Sequence, residues 1–280
     1  MKTPLGLEAE LPVMELFKDA LFLLWEKRTF LIPMFAPIIV VMVMLEFYST
    51  HLTELLMAQM PELEQGAVPK GTWEFLIVSG ISMFLSVLMA TTVHRFSLQP
   101  KALWPRNALR LPLPSDWRYL LRTVQIVVIC TGAGIIVTTL LGGLATALGA
   151  PANSPIGFIA AAAVVLYLMA RLSVTLPEIA IGTKGSDLGR AWRMSTGNAG
   201  RLLFVVLGLP MLVALPFTFF YLFGHLVTNL IAAFGVYVMT LVSVTVLSLS
   251  YQFLREFYEP EVTERVEDEK ADDDNSSLHA

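Results

Sequence analysis

Four stretches of this chain, residues 29–45, 75–94, 123–170 and 202–254, contain no Asp, Glu, Lys or Arg, and together they hold 138 of its 280 residues. A soluble domain has roughly a quarter of its residues charged and scatters them throughout. Here the charged share is 15% against 55% hydrophobic, and the charges are confined between the runs. A membrane-crossing helix needs about 20 predominantly apolar residues. The two short runs therefore accommodate one span each and the two long runs two each. The pattern predicts an all-α polytopic membrane protein with six transmembrane helices, at about 30–48, 73–93, 124–148, 155–176, 202–222 and 226–254.

The remaining segments define the organisation. Residues 1–28 form an N-terminal amphipathic interfacial segment, in which Val13, Leu16, Phe17, Ala20, Leu21 and Leu24 recur at helical spacing and predict one apolar face. Residues 29–254 form the six-helix transmembrane domain. Residues 255–280 read as a disordered acidic tail, with ten acidic and three basic side chains and too few apolar ones to bury. No short apolar core followed by a small-residue cleavage site is found near Met1, so no cleaved signal peptide is expected. The single cysteine, Cys130, lies within a span and excludes an intramolecular disulfide.

Orientation follows from the basic residues, which concentrate in short cytoplasmic loops. If the N-terminus, the loops at 94–122 and 171–201 and the tail share one side, that side collects 18 of the 19 Lys and Arg residues, leaving only Lys70 opposite. Both termini are thus expected in the cytoplasm. Trp25, Trp104, Trp117 and Trp192 lie near these charges, as interfacial anchors do. The basic loops are explained by topology and anionic lipid without a nucleic-acid partner.

Three segments align without gaps, 20–31, 108–119 and 191–202, each an amphipathic or basic stretch before a helical pair. The alignment suggests three repeats of a surface helix and a helical hairpin. Only the leading Ala is common to all three; Arg110 matches Arg193 and Arg118 matches Arg201.

Chemistry is sparse. Ionisable groups within or beside spans are the functional candidates, because burying them is costly. Glu46 reads as a carboxylate reaching the interface. Arg171 and Glu178, seven residues apart, fall two turns apart on one helical face; an ion pair fixing the helix end is the first expectation, and capture of an anionic lipid headgroup by Arg171 the sharper alternative. His94 and Arg95 close the second span. Ser186 is placed to cap a short helix containing Leu188, Ala191, Trp192 and Ser195 that ends near Gly197. The four histidines are scattered and no catalytic, nucleotide or metal-ligand motif occurs, so neither an enzyme nor a cofactor is expected. Small residues in the third and fourth spans, Gly132, Gly134, Gly142 and Ala160–Ala163 among them, fit close helix packing. Ser79, Ser82, Thr138, Thr139, Thr218 and Asn229 suit either a polar path or bonds to neighbouring carbonyls.

Residues 171–203 read RLSVTLPEIAIG and then SDLGRAWRMSTGNAGRLL. They resemble a motif of bacterial multi-spanning inner-membrane proteins related to the membrane domain of glycerophosphoryl diester phosphodiesterases. The matching positions are Arg171, Pro177, Ala191, Trp192, Gly197, Asn198 and Arg201, and VHRFSL at 93–98 is similar as well. Glu178 departs from the pattern, where a small residue is expected. The resemblance implies a fold and a location in the bacterial inner membrane, and carries no phosphodiesterase activity because the hydrolase domain is missing. Together these features predict a membrane scaffold or accessory protein contacting lipids, a membrane-protein partner or further copies of itself, with a small-solute or lipid transporter as the alternative.

Overall fold

The computed structural model describes residues 10–59, 68–149, 155–183 and 186–258. Every regular element among them is helical: α1 (Val13–Glu26), α2 (Arg28–Gln59), α3 (Thr72–Leu98), α4 (Pro114–Ala147), α5 (Ile156–Leu172), α6 (Thr175–Ala180), α7 (Leu188–Met194), α8 (Ala199–Leu203), α9 (Leu209–Thr218) and α10 (Leu226–Tyr258). Five helical stretches are long and apolar enough to cross a membrane: α2, α3, α4, the composite Ala199–Phe223 and α10. The expected fourth span is shorter. α5 has 17 residues, about 25 Å at 1.5 Å per residue. The acidic tail from residue 259, Glu62, Glu64, Pro151, Asn153 and Lys184 lie outside the described residues; α10 itself continues four residues past the expected end of its span.

Prolines shape these helices. Pro177 removes a donor and crowds the carbonyl four residues back, at Ser173, so α5 stops there and α6 starts on a new axis with Leu176 N–H bonded to Ser173 O at 2.9 Å. In α2, Pro33 and Pro37 loosen the ladder, and the Met34 carbonyl accepts the Ala108 N–H at 2.9 Å, which docks the loop after α3. Pro210 acts likewise. It leaves the Val206 carbonyl without its usual donor, the chain widens into a π turn at Phe204–Gly208, and the Ser243 hydroxyl of α10 fills the vacancy. At Pro210 a neighbouring helix thus satisfies the freed carbonyl, as an apolar surrounding requires.

One core joins α1 to the ends of α5, α7, α8 and α10 through Leu16, Phe17, Ala20, Ala170, Ala191, Leu202, Val246, Tyr251 and Leu254. A second lies between α2, α3 and α10, around Phe35, Ile38, Met42, Leu88 and Val93. The α1 face is narrower than expected: Leu16, Phe17 and Ala20 are buried, whereas Leu21 is exposed, and Phe22 and Trp25 point away from the bundle.

α4 and α5 form a hairpin whose crossing depends on Gly157. A Cβ there would lie 2.9 Å from the Thr138 carbonyl oxygen and 3.0 Å from the Gly142 nitrogen, backbone atoms that cannot swing aside. Gly157→Ala is expected to lower stability by about 1–3 kcal/mol, read as the unfolding midpoint in detergent; an unchanged midpoint would show that the hairpin tolerates a wider separation.

Candidate functional site

The polar chemistry collects at the end of the bundle where the basic loops meet. It is built on the C-terminal turns of α3 and α5, the first turn of α4 and the short helices α6 and α7.

Asp116 is its centre. Pro114 opens α4, and Asp116, at the third helical position, turns back so that its Oδ2 accepts the Leu113 N–H at 2.7 Å, the carboxylate half of a capping box. Arg110 grips the same group with both terminal nitrogens, Nη1 to Oδ2 at 2.6 Å and Nη2 to Oδ1 at 2.9 Å. Arg95 adds Nη2 to Oδ1 at 3.2 Å, and also donates to Ser115 Oγ at 2.7 Å and to the Ala180 carbonyl at 3.0 Å. Asp116 and Arg95 are buried. One carboxylate therefore faces two guanidinium groups, which leaves a net positive charge in the wall. These bonds tie α3, α4, the 101–113 loop and the end of α6 together.

His94, the neighbour of Arg95, is enclosed between α4 and α10. Ser248 Oγ donates to the Val244 carbonyl, so it can accept from His94 Nδ1 at 2.7 Å, while Nε2 accepts the Tyr119 hydroxyl at 3.2 Å. A neutral imidazole satisfies both contacts.

Arg171 does not pair with Glu178. Pro177 sets α6 off the α5 axis, so a seven-residue spacing no longer places both on one face. Arg171 instead turns to the segment after α7, donating to Ser195 Oγ at 2.9 Å, Thr196 Oγ1 at 2.9 Å, Tyr167 OH at 3.2 Å and the Trp192 carbonyl. Its guanidinium carbon lies 3.4 Å from the Trp192 ring centroid, a cation–π stack. These contacts take most of its donors, which disfavours the lipid-capturing alternative. Glu178 forms its ion pair with Arg190. The cap of α7 also shifts by one residue: Asp187 Oδ1 accepts the Arg190 N–H at 2.7 Å, while the Ser186 carbonyl accepts from Arg122.

Asn198 and Arg201 hold the start of the chain. Asn198 Oδ1 accepts the Leu11 N–H at 2.9 Å and Arg201 Nη2 meets Glu10 Oε2 at 2.7 Å. Glu46 lies toward the other end of the bundle, where Tyr221 OH donates to it at 2.9 Å. Thr139 and Thr218 bond back to carbonyls of their own helices. The structure thus brings His94 and Arg95 into one cluster and Arg171 and Trp192 into a second, with the Glu178–Arg190 pair between α6 and α7. Asp116, Tyr119 and Ser248 are not among the residues expected from the sequence, where Arg110 figures only as a repeat position and Ser195 only as a member of a short helix. Asp116 carried a signal, as the only acid in the loop at 94–122 and three residues after a helix start.

No family model matches the chain, and neither curated proteins nor solved structures provide a match.

Proposed function

We propose that this chain is a non-enzymatic, multi-pass protein of the bacterial inner membrane that serves as a scaffold or accessory subunit, with six spans and both termini in the cytoplasm. The observation carrying this reading is the flank of the α4–α5 hairpin. Its polar base is clamped at Asp116 and Tyr119, but Val128, Ile135, Ile136, Leu140, Phe158 and Ile159 beyond it are all strongly exposed. A rigid base with an apolar arm suits lateral contact with lipid or with another membrane protein. Six spans are supported by α5, whose 17 residues reach the lower limit for crossing. The orientation is supported by the gathering of basic side chains at one end. The resemblance at residues 171–203 agrees with the inner-membrane location.

A photoreactive side chain at Ile136 is expected to give a discrete protein–protein adduct in membranes, absent when the same group stands at Val227 on α10. Adducts with lipid alone at both positions would overturn the protein-docking form of the proposal. For orientation, a reporter active only in the cytoplasm, fused after Ala280, is expected to be active; a silent fusion would reverse the topology. The second reading, transport of a lipid or small solute, is favoured by the broken helix α8–α9 with its π turn, since interrupted helices mark many transport sites. Solute or lipid movement across vesicles containing only the purified protein would decide for it.

A further inference from the structure

A cleft of about 350 Å³ opens beside the Asp116 cluster, between the last turn of α3, the 103–113 loop and the turn after α6. Among the described residues its polar lining is Arg95, Gln99, Arg110 and Ser115, without a carboxylate. Asp116 lies behind the wall and neutralises one of the two guanidinium charges. Arg95 is only 6% exposed, and among the described residues its bonds run through Nε and Nη2 alone, leaving Nη1 free to donate. Arg110 Nε is likewise without an acceptor. Gln99 spends its amide on one long contact, 3.5 Å to the Ile181 carbonyl. A buried arginine with unused donors beside a cleft of net positive charge is built for an oxyanion, because unmade hydrogen bonds at such a group are costly.

The rim adds a second property. Leu103 and Leu113 line the cleft and are exposed, Leu103 by 60%, with Pro105 beside them in the wall. An apolar rim around a cationic cleft fits an amphiphile whose phosphate sits inside and whose chains lie on the leucines.

We propose that this cleft binds a phosphate group, the headgroup phosphate of an anionic lipid or a free phosphate, through Arg95, Gln99 and Arg110. The inference is independent of the scaffold reading, since it concerns the opposite end of α4 from the exposed arm.

Two substitutions of opposite charge at Gln99 test it without disturbing the Asp116 pairs. The full-length protein in detergent is titrated with phosphatidic acid, with phosphatidylcholine and with inorganic phosphate, and bound ligand is counted by native mass spectrometry. One phosphatidic acid is expected to stay bound at concentrations where phosphatidylcholine does not. Gln99→Glu should weaken this at least tenfold and Gln99→Arg should strengthen it, with both variants keeping the wild-type unfolding midpoint. Displacement of the lipid by millimolar phosphate identifies the free ion as a sufficient ligand; retention assigns the site to the lipid. Equal binding by wild type, Gln99→Glu and Gln99→Arg, or no preference for either phosphate probe over phosphatidylcholine, overturns the proposal. A second variant guards against a misfolded result: the uncharged Leu103→Asn should reduce lipid binding while leaving binding of inorganic phosphate unchanged.

Discussion

Replacing Asp116 by Ala is expected to cost about 3–5 kcal/mol, the largest single effect in the molecule. The carboxylate accepts from Arg110 twice, from Arg95 and from the Leu113 amide, and it is fully buried. Removing it strands two adjacent guanidinium groups with no counter-charge, and breaking a buried ion pair on one side costs about this much. The comparison that isolates the cause is the triple variant Arg95→Met, Arg110→Met, Asp116→Leu. Apolar replacement of a whole buried ionic set is often close to neutral, so the triple variant should recover most of the loss while abolishing phosphate binding. The unfolding midpoint in detergent measures both. A triple variant as unstable as Asp116→Ala would show that the helix start at Pro114, and not the stranded charge, is the source of the effect.

The second large effect is expected at Arg171. Arg171→Lys keeps the charge but loses the planar stack on Trp192 and most of the bonds to Ser195, Thr196 and Tyr167. An ammonium cannot reproduce that fork, and the buried Ser195 hydroxyl and the part-buried Thr196 and Trp192 oxygens lose their donor. At about 1–3 kcal/mol for the buried group left unpaired and about 1 kcal/mol for the lost stack, a loss of about 3 kcal/mol is expected, again as a lower unfolding midpoint. Thr196→Ala in the Arg171→Lys background should then add little, because both changes remove the same contact. Full additivity would show that Thr196 acts apart from Arg171.

What the sequence disclosed depended on how local the determining force was. Five long apolar helices were legible because crossing hydrocarbon excludes charge over about twenty successive residues, a property that needs no knowledge of neighbours. Pro177 is visible too, but the break it makes is not: once α6 leaves the run of α5, the seven-residue rule that would join Arg171 to Glu178 no longer applies. Partner choice was the illegible part. Arg190 reaches Glu178 and Ser195 reaches Arg171 because α7 folds back over both, and no periodicity within α5 encodes that. His94 stood out as a residue, whereas Ser248, 154 positions away, could be found only once α10 was packed beside α3.

The two buried arginines also impose an order on biosynthesis. Arg95 needs Ser115 and Asp116, and its remaining bond waits for Ala180, 85 residues downstream; Arg171 waits for Ser195, 24 residues on. At roughly 5–20 residues per second, these acceptors emerge seconds after the helices that need them. During that interval each guanidinium lacks these acceptors and its charge has to be satisfied by solvent. The last turns of α3 and α5 therefore receive their polar partners only from segments synthesised after them.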